Sequence, residues 1–216
     1  TVNGKIMSTI GVFTKEISLI EAFKNRTLES FKEMGILDRY IGTVCHDHNK
    51  IHGSFIQSKQ AECNFHILRY CKAEYEIHKR ECIKDFMNYL LELRDKVDEY
   101  KIKGKDAFEE KEYLEAKEQY LKLLNIWHNE FKKDYTKEKS KYYESERCLI
   151  TRLKEYVDDH LRFLTDFRID FTNNLAERGL RKIKTKLKIA GGFRNLDYCK
   201  YYCNAISIID TGKKQN

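Results

Sequence analysis

The spacing of apolar and polar positions divides the chain into three zones. In the first, residues 5–13 and 17–23 are rich in β-forming residues and flank a short polar turn, which predicts two strands. Thr27 can cap a short helix and Gly35 can end it, because a hydroxyl accepts helical N–H groups and glycine adopts the left-handed conformation. Residues 40–45 predict a third strand. This β-β-α-β order favours a mixed sheet with helices packed on it.

The second zone, residues 62–164, is predicted to be helical almost throughout. Its apolar residues recur at three- and four-residue spacing, as in the series Phe86, Leu90, Leu93, Val97 and the series Tyr113, Tyr120, Leu124, Trp127. Gly104 and Thr136 predict breaks between helices. From residue 81 to residue 160 there are 17 basic and 20 acidic residues. The near balance indicates a helical insertion and not a nucleic-acid face.

The third zone, residues 165–216, predicts two helices. Asn173 and Asn174 offer N-cap chemistry for the first helix, which should end at the glycine pair 191–192. The second should cover about 197–211. Together the three zones predict a core over 1–61, a helical segment over 62–164 and a C-terminal helical region over 165–216.

Most of the chain's net charge of +7 lies in the third zone. Residues 173–200 contain eight basic and two acidic residues, a net of +6; the bases are Arg178, Arg181, Lys182, Lys184, Lys186, Lys188, Arg194 and Lys200. A concentrated basic stripe suits a polyanion such as nucleic acid. The alternative is a lysine-rich helix whose charges serve only solubility.

Composition narrows the class of protein further. No apolar run approaches the roughly 18 residues that cross a bilayer, so no membrane role is expected. The seven cysteines are scattered without a CxxC pair, which favours a reducing cytosol with thiols as small buried hydrophobes. The chain contains no proline, whereas roughly ten are expected at ordinary usage.

Two acidic residues stand at positions where catalytic sites form. Asp47 follows the strand predicted over 40–45, and the carboxyl ends of strands in open α/β sheets commonly hold sites. A loop aspartate that caps a turn is the alternative. Glu177 falls in the first turn of a predicted helix, where an acid also interacts favourably with the helix dipole by about 0.3–1 kcal/mol.

The helix that begins near Glu177 is predicted to have two distinct faces. Glu177, Arg181, Lys184 and Lys188 are spaced to share one face, and the neighbouring apolar face consists of Ala176, Leu180, Ile183 and Leu187. An acid followed by a ladder of bases suits phosphodiester cleavage, because the acid can bind Mg²⁺ while the bases hold the nucleic-acid backbone.

Other candidate metal ligands are less specific. Cys63 and His66 would need two further ligands to form a zinc site, and no spaced partner pair is present. His66 and Arg69 are better interpreted as polar groups on a helix that starts near the active centre. His46, His48 and His52 could also bind metal, although neighbouring loop histidines often have no specific role.

Four ordered segments resemble motifs of the insertion-sequence-66 family of bacterial DDE transposases. The strongest is FLTDFRIDFTNNLAER at 163–178, which is similar to the family's FLxDxxVPxDNNxAER. The segment at 184–194, KTKLKIAGGFR, is similar to KxKISGGFR. Residues 35–48, GILDRYIGTVCHDH, resemble GILPRYKGxxxHDH, and residues 63–69, CNFHILR, resemble CNAHHLR.

The resemblance implies a ribonuclease-H-like mixed sheet with a large helical insertion. It implies that Asp47 and Glu177 are the second and third catalytic acids and bind Mg²⁺ (or Mn²⁺) in DNA strand cleavage and transfer. The family's first Asp precedes the segment matching 2–5, so the first strand and this acid are expected to be missing and the chain inactive as given. Folding must then bring Asp47 and Glu177 together.

The resemblance also suggests partners and supporting residues. The expected partners are transposon-end and target DNA, and the residues expected to hold them are Arg178, Arg181, Lys184, Lys188 and Arg194. The protein is expected to act as a homo-oligomer on DNA. Its expected location is the bacterial cytoplasm, in association with the nucleoid and not with a membrane. Residues expected to support the metal ligands are His46, His66, Arg69, Asn173 and Asn174.

Departures from the family pattern keep two alternatives open. Phe167 and Asp170 replace motif prolines, Thr172 replaces the Asp before Asn-Asn, Gly179 stands where the family often has Asp, and Asn49 replaces a Trp. These changes, with the missing prolines, are compatible with a catalytically dead DNA-binding remnant. A helical interaction protein with no nucleic-acid role is the third hypothesis, and it predicts no salt-dependent DNA binding.

Overall fold

A computed structural model of the chain describes residues 7–135 and 141–216, apart from the side chains at 135 and 141. The elements are β1 (Ser8–Phe13), β2 (Ser18–Phe23), α1 (Leu28–Met34), β3 (Thr43–His46), a 3₁₀ helix (Lys50–Ser54), β4 (Lys59–Glu62), α2 (Asn64–His78), α3 (Glu81–Ile102), α4 (Glu110–Tyr135), α5 (Lys141–Glu155), α6 (Val157–His160), α7 (Arg162–Thr165), α8 (Asn174–Ala190) and α9 (Leu196–Gln215).

The chain forms two compact units, each built from segments that are distant in sequence. The first, here called the terminal unit, contains Thr1–Gly42, Asn49–Ser58 and Asn173–Asn216. The second, here called the helical unit, contains Thr43–His48 and Lys59–Thr172. The division into 1–61, 62–164 and 165–216 is a division along the sequence and stays a prediction.

An antiparallel hairpin forms the centre of the terminal unit. β1 pairs with β2 in a register that runs from Ser8 opposite Phe23 to Phe13 opposite Ser18. Helix α8 packs against β1 and α9 packs against β2. The shared core consists of Ile20, Ala22, Ile183, Phe193, Cys199 and Cys203. The two predicted strands are confirmed, while residues 5 and 6 of the first prediction lie outside the described residues.

Polar side chains of α9 satisfy the backbone of β2. The Ile20 N–H donates to Ser207 Oγ at 2.8 Å, and the Ser18 N–H donates to Thr211 Oγ1 at 3.1 Å. An edge strand with unpaired N–H groups is prone to pair with other chains, and covering it with a helix removes that hazard. α9 therefore completes the hairpin as well as burying it.

Helix α1 has the ends that its sequence predicts. Thr27 Oγ1 accepts a hydrogen bond from the Ser30 N–H at 3.4 Å, and Gly35 ends the helix in the left-handed conformation with φ of 71°. The Gly35 N–H donates to Lys32 O at 2.9 Å. The capping prediction is confirmed at both ends.

The helical unit buries the apolar series that the sequence analysis identified. Phe86, Leu90, Leu93 and Val97 of α3 are buried, as are Tyr120, Leu124 and Trp127 of α4, while Tyr113 is partly buried. Gly104 lies in the turn after α3 with φ of 75°. The predicted break at Thr136 lies outside the described residues.

A buried carboxylate connects three helices of this unit. Glu146 of α5 has no exposed surface and accepts hydrogen bonds from Trp127 Nε1 at 2.7 Å and from Arg80 Nε at 2.9 Å. Arg80 precedes α3 and Trp127 belongs to α4. Because a buried charge needs partners, this arrangement fixes how the three helices pack.

The strands depart from the expected single mixed sheet. Within residues 7–135 and 141–216 they form two two-stranded sheets, the antiparallel β1-β2 and the parallel β3-β4. β4 was not predicted, because its sequence KQAE has no β-forming pattern. The structure thus shows a mostly helical α/β protein with small sheets, and the ribonuclease-H-like fold stays a prediction. α9 also extends to Gln215, beyond the predicted end at 211.

Gly179, one of the departures from the family pattern, is required by the packing of α8 on the hairpin. A Cβ at position 179 would lie 2.0 Å from Cε1 of the Phe13 ring. The other edge of the ring lies close to Gly11, where a Cβ would be 2.5 Å from Phe13 Cε2. The ring therefore fits between two glycines.

We expect Gly179→Ala to lower the free energy of unfolding by about 1–3 kcal/mol, because overpacking outweighs the gain of about 0.5–1 kcal/mol in helix propensity. Urea denaturation measures the change. In a Phe13→Ala background the same substitution should be neutral or stabilising. A stabilising effect of Gly179→Ala in the otherwise unchanged chain would contradict the packing argument.

Candidate functional site

Asp47 lies at the carboxyl end of β3, as predicted. β3 and β4 are parallel, with His46 opposite Glu62, so both strands end at the same edge. The Cys63 N–H donates to His46 O at 2.9 Å and continues the pairing beyond the strands. The Asp47 side chain is exposed at this edge. It is therefore accessible to a ligand.

Glu62 is a carboxylate at the same edge that the sequence analysis did not identify. It is only 3% exposed. Its Oε1 accepts a short hydrogen bond from His48 Nδ1, and its Oε2 accepts bonds from Arg152 Nη2 at 2.8 Å and from His160 Nε2 at 3.3 Å. Burial alone would raise the pKa of Glu62, but the bonds from His160, Arg152 and His48 lower it below its usual value. Glu62 is thus ionised although it is buried.

The arrangement around His160 indicates which nitrogen of its ring carries the proton. Burial lowers the pKa of His160, which has no exposed surface, so the ring is neutral at pH 7. A neutral imidazole has one donor nitrogen and one acceptor nitrogen. Since Nε2–H donates to Glu62, Nδ1 is the acceptor nitrogen; it lies 2.8 Å from the Tyr120 hydroxyl, which is also 3.2 Å from Leu153 O. Asn64 Nδ2 also donates to His160 O at 2.9 Å.

The other predicted supporting residues of the helical unit lie near the start of α2 or at the end of β3. The His46 ring is buried, and burial lowers its pKa. His66 is partly buried with its ring 6.4 Å from that of Tyr70, and the exposed Arg69 lies 5.8 Å from the same ring. The predicted location of His66 and Arg69 on a helix is confirmed. Their support of a metal ligand stays a prediction.

Cys63 is a buried free thiol and Cys45 is a partly buried one. Burial, with smaller contributions from Cys63 and Asp170, raises the pKa of Cys45 to about 12. Cys63 is 2% exposed. A thiol with so high a pKa is a poor nucleophile at neutral pH. This agrees with the structural interpretation of the cysteines.

Glu177 and the basic ladder lie on α8 in the terminal unit. Asn173 is the N-cap of α8, Asn174 is its first residue, and Glu177 is in its first turn. The Glu177 side chain is partly buried, and its backbone N–H donates to Asn173 O at 3.2 Å. The carboxylate therefore has a defined helical position.

The two predicted faces of α8 are confirmed. Ile183 is 1% exposed, and Leu180 and Leu187 pack against the same core. The predicted DNA-binding residues are all exposed: Arg178, Arg181, Lys184 and Lys188 on α8, and Arg194 after the glycine turn. Their contact with DNA stays a prediction.

Lys182 differs from its basic neighbours. Its ammonium group pairs with the carboxylate of Asp210 on α9, and Asp210 is 7% exposed. This ion pair joins the two C-terminal helices. Lys182 therefore contributes less to the positive surface than the charge count suggests.

A family model described as Transposase IS66 family matches residues 14–200, which is well over half of the chain. The chain therefore belongs to the IS66 transposase family. The match includes β3 with Asp47 and all of α8 with Glu177. Searches of curated proteins and of solved structures returned no match. Among the described helices, none has the length and apolar character needed to cross a bilayer.

Acidification should test the neutral state of His160. Because its pKa is lowered in the folded protein, its stabilising contribution is complete above about pH 6.5 and is lost as pH falls through the folded value. Between about pH 7 and about pH 5, the free energy of unfolding of His160→Gln should therefore fall less than that of the unchanged protein. The difference is up to about 1.4 kcal/mol per pH unit, because one proton fewer is taken up. Urea denaturation at both pH values measures this, and equal declines in the two proteins would contradict it.

Proposed function

We propose that this transposase performs metal-dependent DNA strand cleavage and transfer, with Asp47 and Glu177 among its metal ligands. The observation that carries the proposal is the construction of α8. One helix offers a carboxylate in its first turn, buries Ile183 beneath the hairpin and exposes a series of bases. Family membership supplies the reaction class, since a transposase must bind DNA and break its backbone.

The donor chemistry of the proposed ligands suits a hard divalent cation. Asp47 and Glu177 supply carboxylate oxygens, which Mg²⁺ and Mn²⁺ prefer to softer donors. Asp47 is exposed at the strand edge, and Glu177 is held at a helix start. When bound, such an ion activates a water or hydroxyl nucleophile and stabilises charge on the leaving oxygen. The approach of the two carboxylates to each other is part of the proposal.

The protein's own residues supply binding and orientation. Arg178, Arg181, Lys184 and Lys188 follow Glu177 along α8, so a phosphate backbone lying on them passes the carboxylate. Arginine can bind a phosphate through two parallel N–H groups, which orients it as well as attracting it. Arg194, beyond the glycine turn, extends the same positive surface.

A catalytically dead DNA-binding remnant is the alternative, and it rests on the departures from the family pattern. Gly179, one of these departures, packs against the Phe13 ring. Phe167 donates its backbone N–H to Asp106 O at 2.8 Å, and its buried ring contacts Phe108 edge-on at 6.0 Å. Both residues thus have a place in the fold, which weighs against decay as the explanation of their presence.

DNA binding by α8 should be salt-dependent. Neutralising about four phosphates gives a slope of about −3.6 in a plot of log affinity against log salt concentration. The triple variant Arg181→Ala/Lys184→Ala/Lys188→Ala should bind more weakly and flatten the slope by about 2.7, because each lost contact removes about 0.9. Fluorescence anisotropy with a short mixed-sequence duplex measures both quantities.

A matched control removes three bases elsewhere. Lys72, Lys84 and Lys111 have side chains that are 70%, 53% and 87% exposed and lie in the helical unit. Their combined replacement by alanine should leave the affinity and the slope nearly unchanged. Equal losses in the two triple variants would show that DNA does not select α8, and salt-independent binding by the unchanged protein would favour the interaction-protein hypothesis.

Metal binding should require both carboxylates. Asp47→Asn and Glu177→Gln should each weaken Mn²⁺ binding about tenfold or more, since each removes a charged ligand. In a protein extended to include the first Asp that the family resemblance implies, each should also abolish metal-dependent nicking of DNA. Mn²⁺ titration followed by electron paramagnetic resonance gives the affinity.

Two exposed acids of the helical unit serve as controls for charge. The side chains of Asp95 and Glu115 are 61% and 65% exposed. Asp95→Asn and Glu115→Gln should leave Mn²⁺ affinity and nicking unchanged. A protein that nicks DNA normally without the Glu177 carboxylate would refute the proposed role, and one that binds DNA but no metal would be the remnant.

A further inference from the structure

The residue after Asp47 is held in place by the helical unit. His48 Nδ1 donates to Glu62 Oε1, and the edge of the His48 ring meets the Tyr156 ring at 5.2 Å and 77°. The His48 side chain is 22% exposed, and the Glu62 side chain is 2% exposed. His48 thus links the surface loop to a buried anchor.

The residue before Asp47 is also fixed. The carbonyl of His46 accepts the Cys63 N–H at 2.9 Å, and the His46 side chain is buried. The backbone is therefore held on both sides of Asp47, while the Asp47 side chain itself remains exposed.

Glu62 is positioned by residues that are far away in sequence. Arg152 of α5 donates to it across a separation of 90 residues, and His160 of α6 does so across 98. Arg152 also lies 5.2 Å from the ring of Tyr70 on α2. Two helices of the segment over 62–164 thus donate to one carboxylate, and a third contacts one of the donors. That segment has nearly balanced charge, which gives it no evident role in holding DNA.

We infer that Glu62 is a positioning residue: anchored by Arg152 and His160, it fixes His48 and so holds Asp47 in the orientation in which it binds a divalent cation. This inference rests on the proposed function, because it takes Asp47 to be a metal ligand. It assigns the helical segment a role in the reaction as the support of a catalytic acid. Glu62 is assigned a positioning role and not a ligand role, because both of its oxygens already accept bonds from His48, Arg152 and His160.

The competing explanation is that Glu62 only stabilises the fold, and the chain offers a matched control. Glu146 is a second buried carboxylate of the helical unit, bonded to Arg80 and Trp127, and it makes no bond to the segment that contains Asp47 among the contacts described above. Substituting either glutamate should lower stability, but only the substitution of Glu62 should affect Asp47.

The test measures Mn²⁺ affinity by electron paramagnetic resonance alongside urea denaturation. Glu62→Leu should weaken Mn²⁺ binding about 10- to 100-fold, as loss of a residue supporting a metal ligand typically does. Glu62→Gln, which keeps an acceptor for His48, should restore part of the affinity. Glu146→Leu should reduce stability and leave the Mn²⁺ affinity of the folded protein unchanged.

A second variant covers the possibility that Glu62→Leu does not fold. His48→Ala leaves Glu62 with Arg152 and His160 and removes only a partly exposed ring, so it should fold and still weaken Mn²⁺ binding about tenfold or more. Combining His48→Ala with Glu62→Gln should add little further loss, because both act through the same link.

The outcomes separate this inference from the proposed function. If Asp47→Asn leaves Mn²⁺ affinity unchanged, the proposed function itself fails. If Asp47→Asn weakens binding while Glu62→Leu and His48→Ala do not, the positioning role is overturned and the function stands. Equal loss of affinity in Glu62→Leu and Glu146→Leu would also overturn it, because general destabilisation would then account for the effect.

Discussion

Because parallel strands end at the same edge, the pairing of β3 with β4 determines what surrounds Asp47. His46 and Glu62 face each other at the last step of the pairing, and the loop containing Asp47 begins there. Strands of only four residues provide few hydrogen bonds. The ion pair of Glu62 with Arg152 adds a long-range connection to this edge. A buried charge that loses its partner is strongly destabilising, so the edge and the helices are held to one arrangement.

Glu62 and Glu146 together explain how the long helical segment adopts a single packing. Periodic apolar faces bury helices but allow them to slide or rotate, since hydrophobic burial is not directional. Hydrogen bonds from Arg80 and Trp127 to Glu146, and from Arg152 and His160 to Glu62, are directional and have few alternatives. Buried polar groups have been found to specify unique packing in some proteins. The apolar core thus supplies the driving force here, and the two carboxylates add directional contacts between the helices.

The sequence predicted the elements whose signals are local. The caps of α1, the apolar periodicity of α3 and α4 and the two faces of α8 depend on residues within a few turns of one another. β4 could not be predicted, because its strand identity comes from pairing with β3. Glu62 was missed for the same reason: its partners Arg152 and His160 are distant in sequence, and only the fold brings them together. The packing of Gly179 against Phe13 could not be predicted, because Phe13 lies far from it along the chain.

The charge of α8 shows why a count of bases is a poor measure of a DNA-binding surface. Lys182 lies among the exposed bases in sequence, yet it pairs with Asp210 and ties α8 to α9. α9 is in turn fixed to β2 through Ser207 and Thr211. The Lys182–Asp210 ion pair therefore uses one positive charge to orient α8, the helix that carries the other bases. A helix whose position is already fixed loses less backbone freedom when it binds a phosphate backbone, which partly offsets the loss of one base.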